Sequence, residues 1–214
     1  MSDGRRCYII GAGDFFGTIK KRENDLIIAA DGGLKHLEKL SLKPDIIIGD
    51  FDSLGFVPEG ENVIRLPVMK DETDTFAAVK AAIGKGYETV ILLGCTGGKR
   101  SDHFLANLQT LLYASENRTT AYLIGENEIF TAVSNGIIHF KEKRKGFLSV
   151  FPFGDYVTVT IKGLLYETDN AIIRKDETLG TSNEFIGKKS SIEVKSGVAL
   201  ICWQGELTDI IFPA

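Results

Sequence analysis

The 214-residue chain has no apolar run near the roughly 20 residues that a membrane-spanning helix needs, so no spanning segment is expected. Its start, through Arg5 and Arg6, leads into no apolar region of signal-peptide length, and secretion is not expected. Only three cysteines occur, Cys7, Cys95 and Cys202, far apart and each in or beside an apolar run. That spacing fits neither a zinc site nor a disulfide framework; buried structural thiols in a reducing cytoplasm are the expectation. A net charge of -4 offers no reason for non-specific nucleic-acid binding. There is no Walker-type Gly-Lys-Ser/Thr, and Gly11-Ala12-Gly13 falls short of a dinucleotide fingerprint, so any bound phosphate is not held by a standard P-loop. Internal repeats and low-complexity linkers are absent as well.

What is present is an ordinary globular composition, 43% hydrophobic and 25% charged, long enough for one large domain or two small ones. Two textures divide it. Strand-like runs at 7–10, 26–30, 45–49, 63–66, 90–94 and 120–124 alternate with helix-like segments. Leu34, Leu37 and Leu40 share one helical face, 73–83 is Ala-rich and amphipathic, and Leu105, Leu108 and Leu112 fall together in 101–113. Strands separated by helices predict right-handed crossovers and a mainly parallel sheet. Beyond this region Tyr156–Ile161 and Ser191–Lys195 alternate with period two. Gly and Asn turns separate short strands, as in an antiparallel sandwich. The expected division is an α/β domain over 1–133 and a β-sandwich domain over 134–214. Lys141–Lys145 reads as a solvated turn before a strand at 147–151, with a phosphate-attracting patch as the minor alternative.

The aspartates carry the functional signal. Asp31, Asp50, Asp52, Asp71, Asp74 and Asp102 all fall at turns, most of them just after an apolar run. In an open parallel sheet those turns share one edge, where ligands bind. Carboxylates gathered there raise one another's pKa unless a cation neutralises them, and hard oxygen ligands suit magnesium. In Gly49-Asp50-Phe51-Asp52-Ser53, two acids one residue apart have no basic neighbour in the string, and metal binding is preferred over a structural turn. Asp31-Gly32-Gly33 fits a helix cap with turn glycines, or a close phosphate approach at a helix N-terminus. In Lys70-Asp71-Glu72-Thr73-Asp74, Asp71 or Thr73 could cap the following helix, and Asp74 could be a further metal ligand. The loop 94–103 is rich in glycine, and Lys99 and Arg100 suit a polyphosphate; Ser101 is its expected N-cap. His103 reads equally as a packed or a catalytic histidine. Thr181-Ser182-Asn183 fits a hairpin turn, and Trp203 is core by default, or a stacking platform for a cationic ring.

Taken together, these strings resemble the thiamine pyrophosphokinase family over nearly the whole chain. The carrying residues are Asp31-Gly32-Gly33, Gly49 to Ser53, Lys70 to Asp74, Thr96-Gly97-Gly98, Arg100 to His103 and Thr181-Ser182-Asn183. The resemblance implies transfer of diphosphate from ATP to the hydroxyl of thiamine, giving thiamine diphosphate and AMP with Mg2+. It implies a homodimer with a shared active site. By position, Asp50, Asp52 and Asp74 would hold Mg2+. Asp31, Gly32, Ser53, Thr96, Gly97 and Arg100 would meet ATP, and Asp102, Ser182, Asn183 and Trp203 would meet thiamine. Asp102, Asp74 and Arg100 would be catalytic. The family's Gly-Gly-Arg-x-Asp-His loop has one extra residue here, and Arg100 rather than Lys99 keeps the spacing to Asp102. Phe76 stands where bacterial relatives often carry an acid. A non-catalytic thiamine or nucleotide binder, or a diphosphotransferase acting on another alcohol, are the competing readings.

Overall fold

A computed structural model describes residues 4–52, 54–98 and 100–211. They fall into two compact units, 4–126 and 127–211. In the first, five runs dense in Ile, Leu, Val and Ala become strands buried on both sides, as parallel sheets demand, while the edge run Val63–Arg65 is largely exposed. The order is β1 (Arg6–Ile10), β2 (Leu26–Ala30), α1 (Leu34–Lys39), β3 (Ile46–Gly49), β4 (Val63–Arg65), α2 (Asp74–Gly84), β5 (Thr89–Leu93), α3 (Ser101–Glu116) and β6 (Thr120–Ile124). All six strands expected from the sequence are present, with ends within a residue or so. The sheet order is β6-β5-β1-β2-β3-β4, and every neighbouring pair is parallel. The chain winds outward from β1 to β4, then returns to β5 on the other side of β1. The order therefore reverses between β1 and β5, and a crevice opens at the carboxyl ends there.

Helix α2 buries its Ala-rich face as expected, α1 buries its leucine face in part, and α3 departs. In α3 the buried residues are Asn107, Thr110, Leu111 and Ala114, whereas Leu105 is 60% exposed and Leu108 and Leu112 are half-buried. Asn107 turns inward because its amide Nδ2 donates to the buried Cys95 carbonyl at 2.7 Å, a partner no apolar side chain could replace. In α1, Leu34 and Leu37 are buried, but Leu40 lies at the C-cap and is exposed. Helix α2 presents Ala77, Ala78, Val79 and Ala82 to the sheet, small residues that let its backbone approach closely. Thr73 caps it, Oγ1 accepting from Phe76 N–H at 3.2 Å. Ser101 does not cap α3: it is the first helical residue, and Arg100 occupies the cap position with no side-chain cap bond.

The second unit contains β7 (Glu128–Lys143), β8 (Phe147–Pro152), β9 (Tyr156–Lys162), β10 (Thr168–Arg174), β11 (Asn183–Glu184), β12 (Lys188–Gln204) and β13 (Ile210–Ile211). All pairings within it are antiparallel. The expected row of short strands gives way to two long ones, β7 and β12, paired along nearly their whole length. Their register shifts between Val194 and Val198, where Gly197 (φ 77°) and Asn135 (φ 47°) are left-handed. A bulge of this kind bends a strand without ending it. Before the bend β12 pairs with β9, and after it with β8, so the same two strands serve both sheets. The Trp203 and Phe185 rings each meet Phe140 at 5.3 Å, at steep angles, in the core between them. The basic run is not a turn through its length: Lys141 and Lys143 belong to β7. Lys143 pairs with Asp209 at 2.7 Å, and Lys141 Nζ donates to the Thr208 carbonyl at 2.8 Å.

Candidate functional site

The crevice is built by turns that follow β1, β2, β3 and β5. After β2 the chain enters a tight 3-10 turn at Asp31–Gly33, with Asp31 left-handed at φ 46°. A Cβ at Gly33 would overlap the Ile10 carbonyl oxygen, so only glycine lets this turn lie on β1. Asp31 thus opens the 3-10 turn, and no side-chain cap bond is made there. After β3, Gly49 admits Asp31 against its backbone, and Phe51 follows at φ 67°, only 3% exposed. A buried aromatic in that region costs on the order of 1–3 kcal/mol. Burying the Phe51 ring anchors the turn, and the flanking carboxylates project at the crevice. Asp31, Asp50 and Asp52 each offer an oxygen within 4.8 Å of the others. The Asp52 N–H donates to Asp50 Oδ1 at 3.2 Å.

Lys70 corrects the expectation that this acidic pair lacks a basic neighbour. Its ammonium lies 2.8 Å from Asp50 Oδ2 and 2.7 Å from Asp74 Oδ1, brought there from the segment preceding α2. Its hydrogen bond holds the Asp50 pKa below its ordinary value. For Asp74, burial outweighs the same partner and pushes the pKa up. Burial also pulls on the Lys70 ammonium, but its two carboxylate partners more than offset it and its pKa is raised.

On the far side, Gly94 and Gly97–Gly98, all at positive φ, carry the loop after β5. Asp14 fixes that loop: its Oδ2 accepts from Gly98 N–H at 2.9 Å, and a Cβ on Gly97 would overlap its carboxylate. Thr96 is buried, its hydroxyl donating to the Ile124 carbonyl at 3.3 Å. The open cleft holds about 700 Å³ and is lined by Gly13, Asp31, Asp50, Asp52, Lys70, Asp74, Thr96, Gly97, Arg100 and His103 among others. Of the six aspartates singled out, four line it. Asp71, in the bend before α2, and Asp102, in the first turn of α3, do not: both are exposed. Arg100 grips Asp102 at 2.7 Å, both well exposed, and this hydrogen bond holds the Asp102 pKa down at about 2. Ser53 and Lys99 lie outside the described residues.

In the second unit the three singled-out residues part company. Ser182 is exposed, at φ 60°. Asn183 is buried and structural: its Nδ2 donates to the Tyr166 carbonyl at 2.7 Å, and its Oδ1 accepts from Tyr166 N–H at 2.9 Å. Trp203 is 0% exposed against Phe140, a core position that leaves no ring face for a ligand. Sequence reasoning missed Lys70, Asp14 and Asn107. Lys70 was legible as the residue four before Asp74, whereas the other two matter only through contacts distant in sequence.

A switch-point crevice with carboxylates on one wall and a glycine loop with an arginine on the other is the ligand site expected of an open α/β enzyme domain. Comparison with known proteins makes this particular. The chain matches the model of the thiamin pyrophosphokinase catalytic domain over residues 20–123, and that of the thiamin pyrophosphokinase vitamin B1 binding domain over 135–199. It is 28% identical over 187 residues to the thiamine pyrophosphokinase of Bacillus subtilis (strain 168), spanning 84% of this chain and 87% of that protein. The crystal structure of the Bacillus subtilis thiamine pyrophosphokinase superposes with a TM-score of 0.82 at 25% identity, over 95% of this chain and all of that one. A thiamin pyrophosphokinase family protein from Enterococcus faecalis gives 0.77 at 25%, with coverage of 95% and 100%. The chain belongs to the thiamine pyrophosphokinase family, ATP-dependent enzymes of thiamine diphosphate synthesis. Among its described residues no helix is long and apolar enough to cross a membrane.

Proposed function

We propose that this chain transfers the diphosphoryl group of ATP to the hydroxyl of thiamine, releasing AMP. The observation that carries the reading is the meeting of Asp31, Asp50 and Asp52 oxygens within 4.8 Å in the switch-point crevice, opposite the Gly94–Gly98 loop. This hard, partly exposed oxygen set fits Mg2+, and Asp74 stands beside Lys70 as the next carboxylate. Bound there, Mg2+ would neutralise charge on the phosphate oxygens. Gly97 and Thr96 shape the loop that cradles the polyphosphate, and Arg100 offsets the negative charge that develops on it. The thiamine oxygen attacks the β-phosphorus, the bond from that phosphorus to the α,β-bridging oxygen breaks, AMP leaves with that oxygen, and the hydroxyl proton passes to solvent or a phosphate oxygen. Asp102 would orient the hydroxyl by accepting its hydrogen bond once Arg100, its partner in the free protein, turns to the phosphates.

The division of labour follows the two units, the first for ATP and the metal, the second for thiamine through Ser182 and the turn that Asn183 holds. A homodimer sharing its site across subunits completes the reading. The free thiols, Cys7 and Cys95 buried and Cys202 partly so, support a reducing, cytoplasmic setting. The test is incubation with ATP, Mg2+ and thiamine followed by separation of the nucleotides. AMP with thiamine diphosphate is the expected outcome. ADP would make the protein an ordinary kinase, and unchanged ATP would make it a binder.

A further inference from the structure

Resting on the assignment of the carboxylate cluster to a divalent cation, we propose that Lys70 is a displaceable internal counter-ion: its ammonium must leave Asp50 and Asp74 before the metal can engage them. Three observations support this. The ammonium sits within 2.8 Å of one oxygen on each carboxylate, where a metal bridging Asp50 and Asp74 would need to be. Asp50 belongs both to this ion pair and to the close trio with Asp31 and Asp52, so a divalent ion in the trio would stand next to the ammonium. Two cations on one carboxylate in a poorly solvated site repel each other. Third, lysine joins its charge to a flexible four-carbon stem, and this one arises outside the helix, from the segment before α2, so the head can withdraw without moving either carboxylate.

The arrangement solves a problem that the cluster creates. Without a metal, Asp31, Asp50, Asp52 and Asp74 would repel one another, and Lys70 holds two of them in line. A bare cation has to expel the ammonium into the cleft with no new partner. A cation arriving with a nucleotide brings phosphate oxygens that can receive it. Lys70 thereby favours the metal–nucleotide pair over the free metal. It is a positioning residue for the carboxylates, and its effect is on metal binding before any chemistry.

The test uses Mn2+ as the probe, with free Mn2+ counted by its electron paramagnetic resonance signal, and no turnover is involved. Lys70→Gln, which removes the competing charge, is expected to bind Mn2+ about tenfold more tightly than the unmodified protein. Lys70→Arg, which keeps the charge, is expected to show no tightening. In EDTA, Lys70→Gln should melt below the unmodified protein, and Mn2+ should remove that deficit. With α,β-methylene-ATP present, the difference in Mn2+ affinity should narrow. Equal or weaker Mn2+ binding by Lys70→Gln overturns the proposal, as does a difference that nucleotide leaves unchanged. If the unmodified protein binds Mn2+ and the variant gains nothing, only the counter-ion role falls. If neither binds it, the metal site falls too.

Discussion

The two units of this chain handle polar chemistry in opposite ways. The first ends its strands in left-handed residues, Asp31 and Phe51, and leaves carboxylates facing a cleft around one lysine. The second turns inward: Trp203, Phe140 and Phe185 close a core, and its buried amide, Asn183, is spent on the backbone of Tyr166. Gathered like charge marks the place where a ligand is awaited, whereas satisfied polar groups mark scaffold. Asn183 and Trp203, core or turn by their residues and thiamine contacts by the family resemblance, pack as the second kind.

That contrast is sharpest at Trp203. Trp203→Ala should cost about 3–5 kcal/mol of stability in urea unfolding, because a fully buried ring is replaced by a cavity. A loss confined to thiamine affinity, with stability unchanged, would instead make it a contact residue. Asp52→Asn should do the reverse, lowering turnover by about 10²–10³-fold with little change in melting, since its carboxylate is exposed and faces the cleft. Near-normal AMP production at saturating Mg2+ would remove Asp52 from the site. Asn183→Ala should cost about 1–3 kcal/mol by stranding the Tyr166 N–H and carbonyl, and amide exchange at Tyr166 should speed up. The smallest effect belongs to the exposed Arg100–Asp102 pair. Asp102 has its pKa lowered from 3.8 to about 2, so whatever stability it adds is complete above 3.8 and fades as pH falls through about 2. A carboxyl carbon titration by NMR should place its midpoint near the lower value; a midpoint near 3.8 would mean the ion pair does not persist in solution.

Much of this was legible in the residues. Five of the six parallel strands announced themselves as short, two-sided apolar runs, and the placement of Asp31, Asp50 and Asp52 after strands put them on one edge. The leucine row of α3 misled, because periodicity marks a stripe and not the direction it faces. The inward face was chosen by Asn107, whose partner, the Cys95 carbonyl, lies twelve residues back. In the second unit, Gly and Asn turns were expected between short strands, whereas Asn135 and Gly197 lie at a bulge inside two long ones. Left-handed residues interrupt the two-residue alternation whether they turn a chain or bulge it, and only pairing with a neighbour separates the two.

The sequence by itself determined the strand-helix alternation, the edge on which the carboxylates gather and the family, because each is written in local order along the chain. Only the tertiary structure decided which acids share an oxygen cluster, that Lys70 stands among them, and that Trp203 is core. These depend on distances between segments far apart in the chain, set by how the elements pack.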